Sequence, residues 1–379
     1  IARQIVKDLH NYPKDNVYIL QSLKPNIVLI IMESVSAENL ISLGGNENIM
    51  PGLDSISKQG ILFTDFYANG FRTEQGLIAL LSGFPAQPAN FTVIRDFNRF
   101  EKLPNLARIL LNNGYNNNYY YSGNLNYANT KSYLYIGGFN KIIGEEQQWK
   151  KKTQWGAYDE ELFDFHIKNA CNDAQPFFSI IMTSTNHEPF EANVTKIFTN
   201  KGEENSYKNT SYYTDKCIIN YLKQAQNQSW YNNTLFIITS DHAHSYPKKR
   251  SHNEPKRHHI PLILYGNVIK PEYKGLIINK TGAQVDFPAT LLNQLNINAD
   301  IFKWSKNLFD KNSPQFAFYT FDNGFGYITP NKFIIYDHNI KKVVTDINRN
   351  PLGQTDTNTI TQGKAYLQTL INDFLNLKR

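Results

Sequence analysis

Lys24-Pro25-Asn26-Ile27-Val28-Leu29-Ile30-Ile31-Met32-Glu33-Ser34 decides the fold. Its apolar run is short, continuous and apolar on both faces, as in a central strand of a parallel sheet covered on each side. Glu33 follows directly, at the carboxyl edge of the sheet, where open α/β sheets bind their ligands. An acid there is either a solvated loop residue or a site group. Two more runs have the same form. Pro176 to Met182 delivers Ser184-Thr185-Asn186-His187-Glu188-Pro189-Phe190, and Thr234 to Thr239 delivers Ser240-Asp241-His242-Ala243-His244.

Helical segments separate these runs. Pro51 to Gly60 reads as a short helix closed by glycine, and Pro104 to Leu111 as one with proline near its start and Gly114 beyond its end. Asp159 to Phe163 and Tyr212 to Gln226 are two more. Tyr115 to Tyr121 is a further strand, Ile260 to Gly266 returns to the sheet, and Val285 to Leu292 begins a helix. This alternation, lasting to about residue 300, predicts an α/β fold: a mostly parallel central sheet with helices on both faces. From Phe316 the pattern becomes short strands with Asn, Gly and Asp turns, hence a small C-terminal antiparallel sheet, and Ala365 to Leu377 closes the chain as a helix.

The extended run Ile61 to Tyr67 stops at Asn69-Gly70, and Phe71-Arg72-Thr73-Glu74-Gln75-Gly76 leads into a helix ending at Gly83. Thr73 stands at the helix N-terminus. Its hydroxyl either caps backbone N–H groups or lies in an anion site, beside Arg72, as a nucleophile toward phosphorus or sulfur.

The chain has 379 residues, of which 41% are hydrophobic and 19% charged, so it has ample material for a core and does not read as disordered. A net charge of +6 suits anionic substrates or an anionic membrane surface. No basic run interleaved with aromatics suggests nucleic acid. Cys171 and Cys217 lie in no metal motif and either pair or stay free. No apolar run is long enough to span a bilayer. Ile1, Ile5, Val6 and Leu9 fit an amphipathic helix, and the first residue is not Met, so residues 1–23 are expected to be a lead-in from a membrane anchor. Residues 24–310 are then the catalytic unit and 311–379 the C-terminal strands and helix.

Glu33, Thr73, Asp241 and His242 all fall at strand ends. Two carboxylates, a hydroxyl and an imidazole suit one divalent cation, with Mn²⁺ or Mg²⁺ favoured by the oxygen donors and Zn²⁺ admitted by the histidine. Such an ion would lower the pKa of the Thr73 hydroxyl, while Arg72 would help neutralise a transferring phosphoryl group. His244 is expected at the cleft mouth, two residues beyond a ligand. The rest of Ser245 to His259, with His252, His258 and His259, reads as a solvated basic loop.

In order along the chain, Asn26 to Ser34, Phe63 to Tyr67 leading to Thr73, Thr185 to Phe190, and Ser240-Asp241-His242 resemble the lipoteichoic acid synthase group. That group lies in the sulfatase-like branch of the alkaline phosphatase superfamily. The resemblance covers residues 24 to 300 or so. It implies Glu33, Asp241 and His242 as metal ligands, Thr73 as ligand and catalytic nucleophile, and His187 as a catalytic and substrate-binding histidine. It also implies an extracytoplasmic domain at the cell membrane that moves a phosphoglycerol or phosphoethanolamine headgroup from an anionic phospholipid to a glycan or glycolipid acceptor, through a covalent threonine intermediate.

After the strand at Tyr115 to Tyr121, the group carries a headgroup-binding His with acidic, Trp and Arg positions. This chain has Ser122-Gly123-Asn124-Leu125-Asn126-Tyr127, which leaves Asn124 as the substrate-binding candidate beside Arg72, His187 and His244. The sulfatase signature, a modifiable Cys or Ser followed by Pro and Arg, is absent around Thr73. Two alternatives remain open: a hydrolase on the same scaffold, with water taking the headgroup, and a catalytically dead envelope-binding domain.

Overall fold

The computed structural model describes residues 1–88, 93–170, 173–348 and 357–377, with side chains there except at 345–348. Cys171 lies outside the described residues, and Cys217 is a buried free thiol. The strands are, in order, β1 (Asn26–Met32), β2 (Ile61–Phe63), β3 (Phe66–Tyr67), β4 (Asn116–Tyr121), β5 (Lys141–Ile143), β6 (Phe177–Met182) and β7 (Thr234–Ser240). They continue as β8 (Leu262–Tyr265), β9 (Leu276–Ile278), β10 (Gly282–Ala283), β11 (Ala317–Phe321), β12 (Gly324–Thr329), β13 (Lys332–Asp337) and β14 (Lys342–Asn348).

Eight of them form the central sheet, in the order β5-β4-β6-β1-β7-β8-β2-β9. It is parallel except for β8, which runs antiparallel to both β7 and β2. Every residue of β1, β6 and β7 is buried, as expected for apolar strands covered on both faces. One core layer beneath the sheet contains Leu29, Ile31, Ile237 and Leu262; the layer on the other face contains Val28, Ile30, Phe236 and Ile238.

The expected extended run Ile61 to Tyr67 is split. β2 joins the main sheet, whereas β3 leaves it to pair with β10, carrying the chain toward Asn69 and Thr73. The long helix is Glu203–Ala225, beginning well before Tyr212. Its first turns bury polar groups: Thr210 and Ser211 donate to Asn186 Oδ1, and Asn209 Oδ1 accepts from Ile197 and Phe198 N–H. No apolar period marks a helix end that buries polar side chains. The closing helix likewise starts early, as Thr357–Asn376.

β11 to β14 form the small antiparallel sheet, separate from the central one. Its Phe318, Phe325 and Tyr327, together with Tyr366 and Leu370 of the closing helix, belong to the same core layer as Leu29 and Ile237. The N-terminal helix Ala2–Leu9 buries Val6 in that layer and pairs Arg3 with Asp373 of the closing helix, 2.8 Å apart. Among the described residues, no helix is long and apolar enough to cross a membrane.

One expectation is overturned in part. Of the segment after His244, Lys248, Lys249, Ser251, His252 and Lys256 are exposed, as a basic loop should be, but Arg257, His258 and His259 at its end are buried. The ring of His258 stacks on Tyr319 of β11, centroids 4.0 Å apart, and its nitrogens meet the carbonyls of Gly70 and His252. His259 reaches the carbonyl of Thr64. Tertiary partners far along the chain satisfy both imidazoles, so polar composition alone misreads the end of the segment.

Candidate active site

The pairing of β1 with β7 sets Met32 opposite Ser240, so Glu33 and Asp241 leave the sheet side by side. Both are buried, at 2% and 0% exposure. Ser34 makes the turn possible. It takes a left-handed conformation, φ 57°, uncommon outside glycine. From there its N–H donates to Asp241 Oδ1 (2.9 Å) and its hydroxyl to Glu33 Oε1 (2.7 Å).

Thr73 is the first residue of the helix Thr73–Ser82, and the N-cap position is held by Arg72, with no side-chain cap. The Thr73 hydroxyl instead points across the strand ends. Its Oγ1 lies 2.8 Å from Asp241 Oδ2 and 3.4 Å from Glu33 Oε2. The capping role open at the sequence level is therefore not the one the hydroxyl plays. Arg72 is half-buried over the ring of Phe71.

His242 completes the cluster. Its Nδ1 lies 2.9 Å from the carbonyl of Ala243, an atom that only accepts, so Nδ1 carries the proton. Its Nε2 lies 3.5 Å from Asp241 Oδ2 and 3.8 Å from Glu33 Oε1. Among the described residues, Glu33, Asp241 and His242 are the one group of this kind, with ligand atoms all within 4.8 Å of one another. No Lys or Arg pairs with either carboxylate among the described residues. Burial first, and then the charge of Asp241, push the Glu33 carboxyl well above the usual range. Two buried carboxylates and an imidazole converging with no Lys or Arg between them are the donor set of a cation site, and the residues present fit a divalent ion.

The loop after β6 supplies His187. Asp159 anchors this loop by accepting from the N–H groups of Ser184 and Thr185 (3.0 and 3.1 Å), and Asn186 donates to the carbonyl of Glu33 (3.2 Å). The half-buried His187 ring stacks on Trp155, centroids 3.9 Å apart. Its Nδ1 donates to the carbonyl of Glu188 (2.8 Å), which also accepts from Trp155 Nε1 (2.7 Å). Burial holds His187 below the usual histidine range, opposed in part by the Glu188 hydrogen bond and the charge of Asp241. Trp155 was not singled out in the sequence: it lies in an irregular loop some thirty residues before its partner.

His244 stays at this edge, its backbone N–H on Ser36 Oγ. Both its ring nitrogens are engaged, Nδ1 accepting from Tyr246 N–H (3.0 Å) and Nε2 facing Glu188 Oε1 (2.6 Å). Burial pushes it down to about 4. Asn124 is exposed just beyond β4, its Oδ1 accepting from Asn126 N–H at 2.8 Å.

Comparison with known proteins agrees with this architecture. The sulfatase family model matches residues 25–297. The lipoteichoic acid synthase-like YvgJ of Bacillus subtilis is 22% identical over 72% of this chain and 47% of its own length. Phosphoglycerol transferase I of Salmonella typhi is 24% identical over 76% of this chain and 39% of its own. The chain thus spans less than half the length of these relatives. Among solved structures, an alkaline phosphatase superfamily protein from Vibrio parahaemolyticus superposes with a TM-score of 0.82 at 25% identity, covering 99% of this chain and 96% of that one. The lipoteichoic acid synthase LtaP of Listeria monocytogenes also gives 0.82, at 15% identity and 98% coverage of both chains. With its parallel sheet, its strand-end cluster and a family match over most of its length, the chain belongs to the sulfatase family of the alkaline phosphatase superfamily.

Proposed function

We propose that this protein is a metal-dependent transferase that moves a phosphoglycerol-type headgroup from an anionic phospholipid to a glycan or glycolipid acceptor of the cell envelope, working at the membrane on its extracytoplasmic side. One observation carries the reading: the Thr73 hydroxyl starts a helix without capping it and points instead at two buried carboxylates. The names of the relatives support the phosphoglycerol chemistry.

Glu33, Asp241, His242 and the Thr73 oxygen would hold one divalent cation, Mn²⁺ or Mg²⁺ before Zn²⁺. When bound, such an ion lowers the hydroxyl pKa and offsets charge on the transferring phosphoryl group. In the first half-reaction Thr73 Oγ1 attacks the headgroup phosphorus. The bond from phosphorus to the diacylglycerol oxygen breaks, and that oxygen leaves with the proton given up by Thr73. In the second, an acceptor hydroxyl attacks the same phosphorus, and Thr73 Oγ1 leaves and regains a proton. His187, its Nδ1 fixed on a carbonyl, presents Nε2 for these proton transfers or for a phosphoryl oxygen. Arg72 and the N–H groups at the start of the helix favour the anionic headgroup.

The test is turnover of a chromogenic phosphodiester, and of phosphatidylglycerol vesicles, with added Mn²⁺. Thr73→Ala should lose several powers of ten in kcat, whereas Thr73→Ser should keep part of it. Intact mass should show a glycerophosphoryl adduct on Thr73. Wild-type-like turnover by Thr73→Ala would refute the reading. A headgroup that always ends on water would make the protein a hydrolase.

A further inference from the structure

Two buried amides, Asn69 and Gln284, belong to no donor set of the site, yet every polar atom of both side chains is engaged. The parallel pairing of β3 with β10 sets Ala283 beside Tyr67, so Gln284 and Asn69 meet just beyond that pair. Gln284 is fully buried; its Nε2 donates to the carbonyls of Ser240 (2.9 Å) and Asp241 (2.6 Å), and its Oε1 accepts from Asn69 N–H (3.2 Å). One side chain therefore joins the turn that carries Asp241 to the turn that leads into Thr73. Asn69 continues the connection. Its Oδ1 accepts from Val285 N–H (3.1 Å), its Nδ2 donates to the carbonyl of Phe318 (2.7 Å), and its own carbonyl accepts from Thr320 N–H (2.9 Å). Phe318 and Thr320 lie in β11, and Tyr319 between them stacks on His258, whose Nδ1 meets the carbonyl of Gly70.

We propose that Gln284 and Asn69 are positioning residues that lock the Thr73 oxygen in register with Asp241, and that β11 of the C-terminal sheet is the fixed point to which the nucleophile turn is tied. Secondary structure alone does not hold Thr73 to Asp241: the helix and β7 are separate elements, and no strand pairing links the end of β7 to the nucleophile turn. The buried carbonyls of Ser240 and Asp241 would lose these donors if Gln284 lost its amide, so the chain would have to rearrange around them. This inference rests on the transferase reading for its kinetic consequence but not for its structural one.

Gln284→Met keeps length and volume while removing all three hydrogen bonds. The expected result is a folded protein whose kcat falls at least about thirtyfold, with KM within about threefold, because the lost interaction sets reacting geometry rather than substrate affinity. Amide exchange across residues 69–76 should speed up at least about tenfold, a local opening rather than a global one. Asn69→Asp, which keeps the acceptor for Val285 but loses the donor to Phe318, should show the same split at smaller amplitude, and it decides the matter if Gln284→Met does not fold. Unchanged kcat and unchanged exchange in a folded variant would overturn the proposal. If the wild-type protein turns over no phosphodiester, the transferase reading fails, and the lock is judged on exchange alone.

Discussion

Gly76 puts the placement of Thr73 to a severe test. It lies one turn into the Thr73 helix and faces the backbone of Asp241. A Cβ built on it would stand 2.1 Å from the Asp241 carbonyl oxygen, 2.8 Å from its carbon and 3.0 Å from its Cα. That is about 1 Å or more inside van der Waals contact, and neither side is a side chain that can swing away. Gly76→Ala must therefore push the helix off the strand end by roughly 1 Å, a displacement of the kind that costs about a hundredfold in rate. The hydrogen bond from Thr73 to Asp241, now 2.8 Å, would stretch beyond its normal range. Stability should respond far less. Overpacking costs about 1–3 kcal/mol, but replacing glycine by alanine inside a helix returns about 1 kcal/mol. Urea denaturation should thus show a net loss of about 0–2 kcal/mol, alongside a kcat about a hundredfold lower on the chromogenic diester. A Gly76→Ala protein with wild-type kcat would show that contact between helix and strand end does not set the nucleophile.

Trp155→Ala should lower kcat by about tenfold to a hundredfold, at or below the low end of what a positioned acid–base group contributes because the ring itself remains, with Trp155→Phe recovering much of it through the retained stack on His187. Equal kcat in Trp155→Ala and wild type would dismiss the stack as incidental. Lys306 and Asp286 form an ion pair with both side chains about 1% exposed, and Lys306 also donates to the carbonyl of Phe316 (3.0 Å), so Lys306→Met should cost about 3–5 kcal/mol by stranding a buried carboxylate; a loss under about 1 kcal/mol in denaturant titration would contradict this. His166 is buried, its Nδ1 on Tyr221 Oη, and burial pushes it down to about 3 from 6.5. Because the unfolded chain takes up this proton first, the contribution of His166 is present above about pH 6.5 and lost as pH falls toward 3, amounting to about 2 kcal/mol between pH 7 and 5. His166→Phe should lose less stability over that interval by this amount, and identical pH dependence in the two proteins would refute the assignment.

Much of the architecture was legible in the residues themselves. Runs such as Ile27 to Met32 and Leu235 to Ile238 can be stable only where both faces are covered, so they announce buried parallel strands, and the acids that follow them announce the sheet edge. Glu33, Asp241 and His242 were locatable because each follows such a run within four residues. What remained hidden depended on partners distant in sequence. Whether Thr73 caps its helix or faces the carboxylates depends on how a helix docks against β7, roughly 165 residues away, and local propensity is the same in both cases. His258 and His259 read as solvated until Tyr319, Gly70 and Thr64 satisfy them. Polar side chains that serve a core carry no periodicity, which is why Gln284 and the first turns of Glu203–Ala225 left no signal and Asn69 showed only as a turn residue. The strand-end residues could be grouped into one site from the sequence, but the order of the whole sheet could not: only the tertiary structure sets β1 between β6 and β7, because hydrophobic patterning specifies which faces are buried but not which neighbour buries them.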